Sequence, residues 1–326
     1  MSPYRRSVLV ALGASAAMAA LPSLARAQAF PAKPIRIIVP LPPGGSNDVL
    51  ARILGQKMSE SFGQSVVVEN KPGAAGNIAT DYLVKSEPDG YTIAIAPNQT
   101  VAVNPVLYAD LPFDVLKDVQ GVSMLGRVPM VLMVSPKIAA TSVAELIALA
   151  KARPEGLSYA SAGSGSPQHM AAEVFKSMTG TKLTHIPYKG SAPALVDVLA
   201  GRVDVMFCPI NSALPHIRSG KLRALGTTGP SRIALLPDVP AIAETVPGFE
   251  SDIWIGMVAP AQTPAAVIQK LNAELRRALA LPDVRKTLAE QGIYAESSSA
   301  ADFNKLIATD QKRWAAVIAA ANIKPD

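Results

Sequence analysis

Ile35-Arg36-Ile37-Ile38-Val39-Pro40, then Leu41-Pro42-Pro43-Gly44-Gly45-Ser46-Asn47-Asp48, is the stretch on which the fold turns. The β-branched run predicts a strand and the small residues predict a turn. Apolar Val49, Leu50, Ile53, Leu54 and Met58 recur at helical spacing and predict a helix over residues 48–62. A junction of this kind leaves backbone N–H groups at a helix N-terminus, where the partial positive charge favours anions. The layout recurs twice. Residues 157–160 lead into Ser161-Ala162-Gly163-Ser164-Gly165-Ser166 and a helix over 167–178. Residues 183–187 lead into Tyr188-Lys189-Gly190-Ser191 and a helix over 193–200. One such turn is ordinary in an α/β protein; three on one chain point to a cleft for a small carboxylate-bearing molecule.

The rest of the chain continues the alternation. Strands are predicted at 66–69, 91–96, 128–134, 203–207, 222–227 and 254–259, and helices at 77–85, 142–152, 211–219, 264–280, about 283–290 and 300–320. Ser142 followed by Glu145 has the spacing of a capping box. Residues 98–120, with prolines at 105 and 112, read as loop. Short βαβ connections predict mostly parallel sheets, with ligands at the carboxyl ends of the strands, where the three glycine turns fall. The expected organisation is a first lobe over 30–127, a second over 128–252 inserted into it, and a return to the first over 253–326. Two crossing strands, at 128–134 and 254–259, would permit hinge closure.

Residues 1–29 read as an export signal: Arg5 and Arg6, an apolar Ala-rich stretch, and small-x-small cleavage sites ending at Ala27 or Ala29. The paired arginines leave both the twin-arginine and the general secretion routes open. The expected location is therefore the periplasm. Cleavage would leave about 298 residues, which suits two domains better than one core. Without Arg5, Arg6 and Arg26 the formal net charge drops from +6 to +3. The remaining basic residues are dispersed, which argues against nucleic-acid binding. Cys208 is the one cysteine, so no internal disulfide can form, and its apolar setting predicts burial.

The chain resembles the Bug family, the TctC-type receptors of tripartite tricarboxylate transporters. The resemblance rests on Ile38-Val39-Pro40 through Pro43-Gly44-Gly45 and Asp48, Glu69-Asn70-Lys71-Pro72-Gly73-Ala74, Pro88-Asp89-Gly90-Tyr91-Thr92 and Asn104-Pro105-Val106-Leu107-Tyr108. It continues through Tyr159 to Ser166 with His169, His185-Ile186-Pro187-Tyr188-Lys189-Gly190, Gly220-Lys221-Leu222-Arg223-Ala224-Leu225 and Leu236-Pro237-Asp238-Val239-Pro240. The order and spacing of these segments span the mature chain. The resemblance implies a two-lobe periplasmic binding protein of type II with two crossing strands. It would close on a small organic acid and present it to membrane permease subunits, with no cofactor and no metal. It also implies that Gly44, Gly45, Ser46, Asn47 and Asp48 hold one ligand carboxylate. Ser161, Ala162, Gly163, Ser166 and His169, with Tyr188, Lys189 and Gly190, would hold the rest. Where the family often has Asp, this chain has Cys208. The missing carboxylate points to a ligand without an ammonium group, either purely anionic or anionic with an apolar body.

Each of these residues also has a plain structural reading. Asp48 could satisfy its helix end, Ser166 could cap a helix ahead of Pro167, and Ser161 could shape its turn. His169 and His185 could pack in the core, Lys189 could be solvated, and Tyr188 could pack between elements. Asn98, Gln99 and Asn211 sit at strand-end loops and could line the mouth. Ser166 and His169 superficially suggest acyl transfer, but no orienting acid is apparent and the glycine turn is not a nucleophile elbow. The three histidines lack metal-ligand spacing. An enzyme is therefore not expected. A sensor that passes the bound form to a signalling partner would have the same sequence.

Overall fold

A computed structural model describes residues 30–325, so the predicted export signal lies outside the described residues. The chain forms two mixed sheets. The first holds β1 (Ile35–Val39), β2 (Val66–Asn70), β3 (Thr92–Pro97), β4 (Val119–Val128), β10 (Ile253–Pro260) and β11 (Tyr294–Ala295), in the order β11-β4-β10-β3-β1-β2. The second holds β5 (Met130–Val134), β6 (Leu157–Ser161), β7 (Leu183–Pro187), β8 (Val205–Pro209) and β9 (Arg223–Thr227), in the order β7-β6-β8-β5-β9. Helices α1 (Ser46–Phe62) and α2 (Asn77–Val84) connect the first three strands. In the second sheet the connections are α3 (Val143–Ala152), α4 (Pro167–Thr179), α5 (Ser191–Leu199) and α6 (Ile210–Arg218). The chain closes with α7 (Ala265–Ala280), α8 (Pro282–Glu290) and α9 (Ala300–Ala321).

The expectation of mostly parallel sheets is met in the βαβ half of each sheet. β1 runs parallel to β2 and β3, and β6 runs parallel to β7 and β8. The other half is antiparallel, because β5, on which the chain enters the second sheet, and β10, on which it returns to the first, each run against their neighbours. β10 opposes both β3 and β4, and β5 opposes both β8 and β9. β1 buries every residue but Arg36, as a strand covered on both faces must.

The chain crosses between sheets at Pro129, which separates β4 from β5 and cannot donate to either ladder. The return passes beside it. Thr228 N–H donates to the Met130 carbonyl at 2.9 Å, Met130 N–H donates to Thr228 Oγ1 at 2.8 Å, and Ser251 N–H donates to the Thr228 carbonyl at 3.1 Å. Thr228 Oγ1 lies 2.7 Å from Asp252 Oδ1, and burial pushes the Asp252 carboxyl above its usual range. These bonds hold the two crossing segments side by side.

Residues 98–120, expected as loop, contain a π-helical turn over Gln99–Val103, one-turn helices at Asn104–Leu107 and Val115–Asp118, and the start of β4. The buried ten-residue β4 escapes the hydrophobic pattern because Gly121, Ser123 and Gly126 interrupt it. Those glycines have a packing cause. A Cβ at Gly121 would stand 2.8 Å from Phe303 Cδ1 of α9, and one at Gly256 on β10 would overlap the same ring. The two central strands thus give up side chains to admit Phe303, which is fully buried. Cys208 is fully buried as expected, and burial pushes its thiol up to about 12.

Candidate functional site

The carboxyl ends of β1, β6 and β7 carry the three glycine turns. At the first, Gly44 has φ +89° and Gly45 caps α1 with no side-chain hydrogen bond. Gly44 and Gly45 are exposed, Ser46 is half-buried, and Asn47 and Asp48 are buried. Asp48 is turned toward the loop. Its Oδ2 accepts from Gly44 N–H at 3.0 Å and Arg52 Nε at 2.9 Å, and its Oδ1 accepts from Asn70 Nδ2 at 3.0 Å. Asn70 Nδ2 also donates to the Leu41 carbonyl at 3.0 Å, so the end of β2 is tied to the loop after β1. The Arg52 guanidinium, helped by the Gly44 and Asn70 donors, holds the Asp48 carboxyl down to about 2. Asp48 is therefore ionised and engaged within the protein.

In the second sheet's lobe, Ser161, Gly163, Ser166 and His169 are buried, and Ala162 is half-buried. Ser166 caps α4 by accepting the His169 backbone N–H at 3.4 Å, with Pro167 at the first helical position. The Ser166 hydroxyl is thus engaged with the His169 backbone. Ser161 does meet an imidazole, its Oγ lying 2.6 Å from His185 Nε2. Ser161 Oγ also accepts from Gly163 N–H at 3.1 Å and is fully buried. His169 Nδ1 accepts the Gly165 N–H at 3.2 Å. Serine and histidine therefore shape this loop from within.

At the third turn, Gly190 has φ +112° and caps α5 with no side-chain bond. Tyr188 N–H donates to the Ser161 carbonyl at 3.1 Å, and Gln168 Nε2 donates to Ser191 Oγ at 2.6 Å, so the loops after β6 and β7 are joined. The Tyr188 hydroxyl donates to Asp197 Oδ2 at 2.6 Å. Burial and the Asp197 charge push that phenol up to about 12. Lys189 is exposed at the turn.

The two lobes meet at these ends. Asn211, exposed on α6, donates through Nδ2 to Ser46 Oγ at 3.2 Å. A Cβ built on Gly165 would overlap Leu107 Cδ2 from the first sheet's lobe, and one on Gly292 would stand 2.6 Å from Ile210 Cγ2 at the start of α6. Asn98, expected at the mouth, is instead 4 % exposed beside the crossing segments. Its Nδ2 lies 3.3 Å from the Asp252 carbonyl. Asn98 and Gln99 line a narrow cavity there with Met130, Met170, Ser251 and Trp314.

The sequence reading gave no site role to Arg52, Asn70 or the loop after β2, although residues 69–74 carry part of the resemblance. That loop runs through four successive positive φ values, from +126° at Gly73 through +45° and +53° at Ala74 and Ala75 to +91° at Gly76. Left-handed alanines are uncommon. Here Asn104 Nδ2 fixes the loop, donating to the Ala75 carbonyl at 2.9 Å and to Asn77 Oδ1 at 2.7 Å. The available signal was its layout, another small-residue turn between a strand and a helix. A wide concavity of about 720 Å³ lies away from these ends, lined by Lys33, Arg36, Tyr82 and Tyr91. Its walls carry ion pairs already closed within the protein, Lys33–Asp89 at 3.0 Å and Lys85–Asp81 at 2.7 Å.

Two sheets joined by two adjacent crossings, with strand-end loops facing each other, define a two-lobe periplasmic binding protein. A solved periplasmic transporter superimposes with a TM-score of 0.80 at 40 % identity, covering 91 % of this chain and 100 % of its own. An adipate-bound protein of R. palustris does so at 0.81 with 36 % identity over the same shares. The chain belongs to the TctC family, the tripartite tricarboxylate transporter family receptors, whose model matches residues 50–323. Protein BugT of Bordetella pertussis is 40 % identical over 313 residues, 95 % of this chain and 96 % of that one. MatC from Rhodopseudomonas palustris, solved with bound malate, superimposes at 0.76 with 29 % identity, covering 89 % of this chain and 100 % of its own.

Proposed function

We propose that this protein is an extracytoplasmic solute receptor, exported by its leader. In this reading it captures a small organic dicarboxylate between a lobe formed by residues 30–127 with 253–326 and a lobe formed by residues 128–252. It then delivers the ligand to membrane permease subunits of a tripartite tricarboxylate-type transporter. One observation carries the reading. The first-turn amides of α1 and α5 follow Gly45 and Gly190, which supply no side-chain cap, and the loops that hold them belong to opposite lobes that meet through Asn211 and Ser46. An acceptor-only ligand oxygen suits such amides. The adipate and malate carried by two relatives have that chemistry at both ends.

Asp48, Arg52 and Asn70 then act as positioning residues that set the Gly44 loop, and the ligand meets amides at the helix start. The neutral Cys208 thiol offers no charge to a ligand ammonium, which favours acids over amino acids. Binding draws the lobes together, because only the closed form satisfies both ends of the ligand at once. No catalytic step is assigned, and the Ser161 hydroxyl, which meets the His185 imidazole, is fully buried. Calorimetry and thermal shift of the mature protein with adipate, malate and adipamide test the reading. Saturable binding of a diacid, with loss of binding to the diamide, is expected. At a ligand concentration ~100 times Kd the stabilisation is about 2.7 kcal/mol. Equal binding of adipate and adipamide would overturn the proposal.

A further inference from the structure

Behind the loop from Ser161 to Ser166 lies a polar stack, with Tyr159 and His169 buried and His185 half-buried, that ligand capture alone does not call for. The His169 and His185 rings stack with centroids 3.9 Å apart and planes 21° apart. Tyr159 stacks on His185 at 4.9 Å and 16°. Each imidazole touches the loop. His185 Nε2 lies 2.6 Å from Ser161 Oγ, which in turn accepts the Gly163 N–H, and His169 Nδ1 accepts the Gly165 N–H at 3.2 Å. An acceptor at Nδ1 puts the ring proton of neutral His169 on Nε2, which faces Glu173 Oε1 at 3.7 Å.

We propose that His169 is a positioning residue for the ligand loop, and that the loop keeps its binding shape only while His169 is neutral. The proposal rests on the reading that the ligand meets the α5 amides, because this loop is joined to the turn before α5 through the Tyr188 N–H on the Ser161 carbonyl and Gln168 on Ser191. A proton on Nδ1 turns the acceptor into a donor, so that N–H would face the Gly165 N–H and the loop would have to move. Two positive rings at 3.9 Å repel, so the pair takes up protons one at a time.

The surrounding charges are already committed. Glu173 accepts from the Tyr159 hydroxyl at 2.7 Å and from Lys176 Nζ at 2.7 and 2.9 Å. β8 meets α4 through Phe207 against Phe175, with the neutral Cys208 thiol next in sequence. α9 meets it through Trp314, which lines a cavity with Met170. The Trp314 indole donates to Asp310 at 3.0 Å, and Arg313 lies 3.8 Å from the same carboxylate. Affinity is full above the imidazole range and falls as pH drops through it, because the proton and the ligand-competent loop exclude each other. By reciprocity, bound ligand lowers the proton affinity of the pair.

The test uses adipate as the probe, in calorimetry on the mature protein and on His169→Asn. Asparagine keeps an oxygen acceptor near the Nδ1 position and cannot take up a proton. Kd is expected to rise severalfold as pH falls from about 8 to about 5. The profile of His169→Asn is expected to be flat, whatever its absolute affinity. A flat wild-type profile, or a variant profile as steep as wild type, overturns the proposal. A second readout needs no ligand: NMR of the free protein should show the Gly165 amide moving with the His169 titration. Gly163 and Gly165 amides that stay fixed while the imidazoles titrate, or imidazoles that stay neutral down to about pH 5, likewise overturn it. Failure of adipate to bind at every pH would count against the ligand reading, while the amide titration would still decide the loop coupling.

Discussion

Gly165 offers a perturbation that separates folding from closure. Its φ of +71° is left-handed, and its missing Cβ leaves room for Leu107 Cδ2 of the opposite lobe. Gly165→Ala therefore has two costs. The left-handed backbone costs alanine about 1–2 kcal/mol in any arrangement of the lobes, and this loss appears in stability. The overlap with Leu107 exists only while the lobes are together. It is relieved by pushing one flexible side chain off its rotamer, at about 0.5–1.5 kcal/mol. This second cost falls on ligand binding and predicts an affinity roughly 2- to 12-fold weaker. Calorimetry on wild type, Gly165→Ala, Leu107→Ala and the double variant closes the cycle. The account predicts that removing Leu107 restores most of the affinity that Gly165→Ala loses, while the backbone cost persists in urea unfolding. A coupling below ~0.3 kcal/mol, within the additivity of unconnected sites, would refute the claim that these two residues meet on closure.

Other predictions concern the supports of the site. Asp48→Asn should cost about 1–2 kcal/mol at neutral pH, discounted because Arg52 is half-exposed. The Asp48 carboxyl is depressed from 3.8 to about 2. Its contribution is therefore present above about pH 4 and lost as pH falls toward 2, so wild type and variant should converge in acid unfolding curves. Asp310 accepts the indole N–H of Trp254 at 2.8 Å and of Trp314 at 3.0 Å. Asp310→Ala strands both donors in the core and should lower urea stability by roughly 2–5 kcal/mol, with tryptophan fluorescence reporting the change. Asn211→Ala removes the 3.2 Å bond to Ser46 and should weaken ligand affinity by about 2- to 5-fold, since one neutral hydrogen bond contributes ~0.5–1 kcal/mol.

Much of this architecture is written locally. Ile35 to Val39, the helix from Ser46 and the caps at Ser142 and Ser166 are short-range features, and the structure places them within a few residues of where the pattern does. What escaped depends on partners distant in sequence. β4 is broken by glycines whose reason, the Phe303 ring, lies on the last helix. The antiparallel halves of the sheets follow from crossing strands whose direction is a property of the whole chain. The same holds at the site. The turns were legible from their small residues, but not the network that shapes them. Asp48 needs Asn70 from the next strand, and Ser161 needs His185 from another. Asn98 looked like a mouth residue because it follows a strand; the crossing segments cover it.

The central claim, that two helix starts on opposite lobes share one acid, is tested most directly by a crystal structure of the mature protein with adipate. The account predicts one carboxylate within about 3 Å of the Ser46 and Asn47 amides and the other within the same reach of the Ser191 and Ala192 amides. Adipate bound to one lobe alone, or seated in the concavity lined by Lys33, Arg36 and Tyr82, would contradict it.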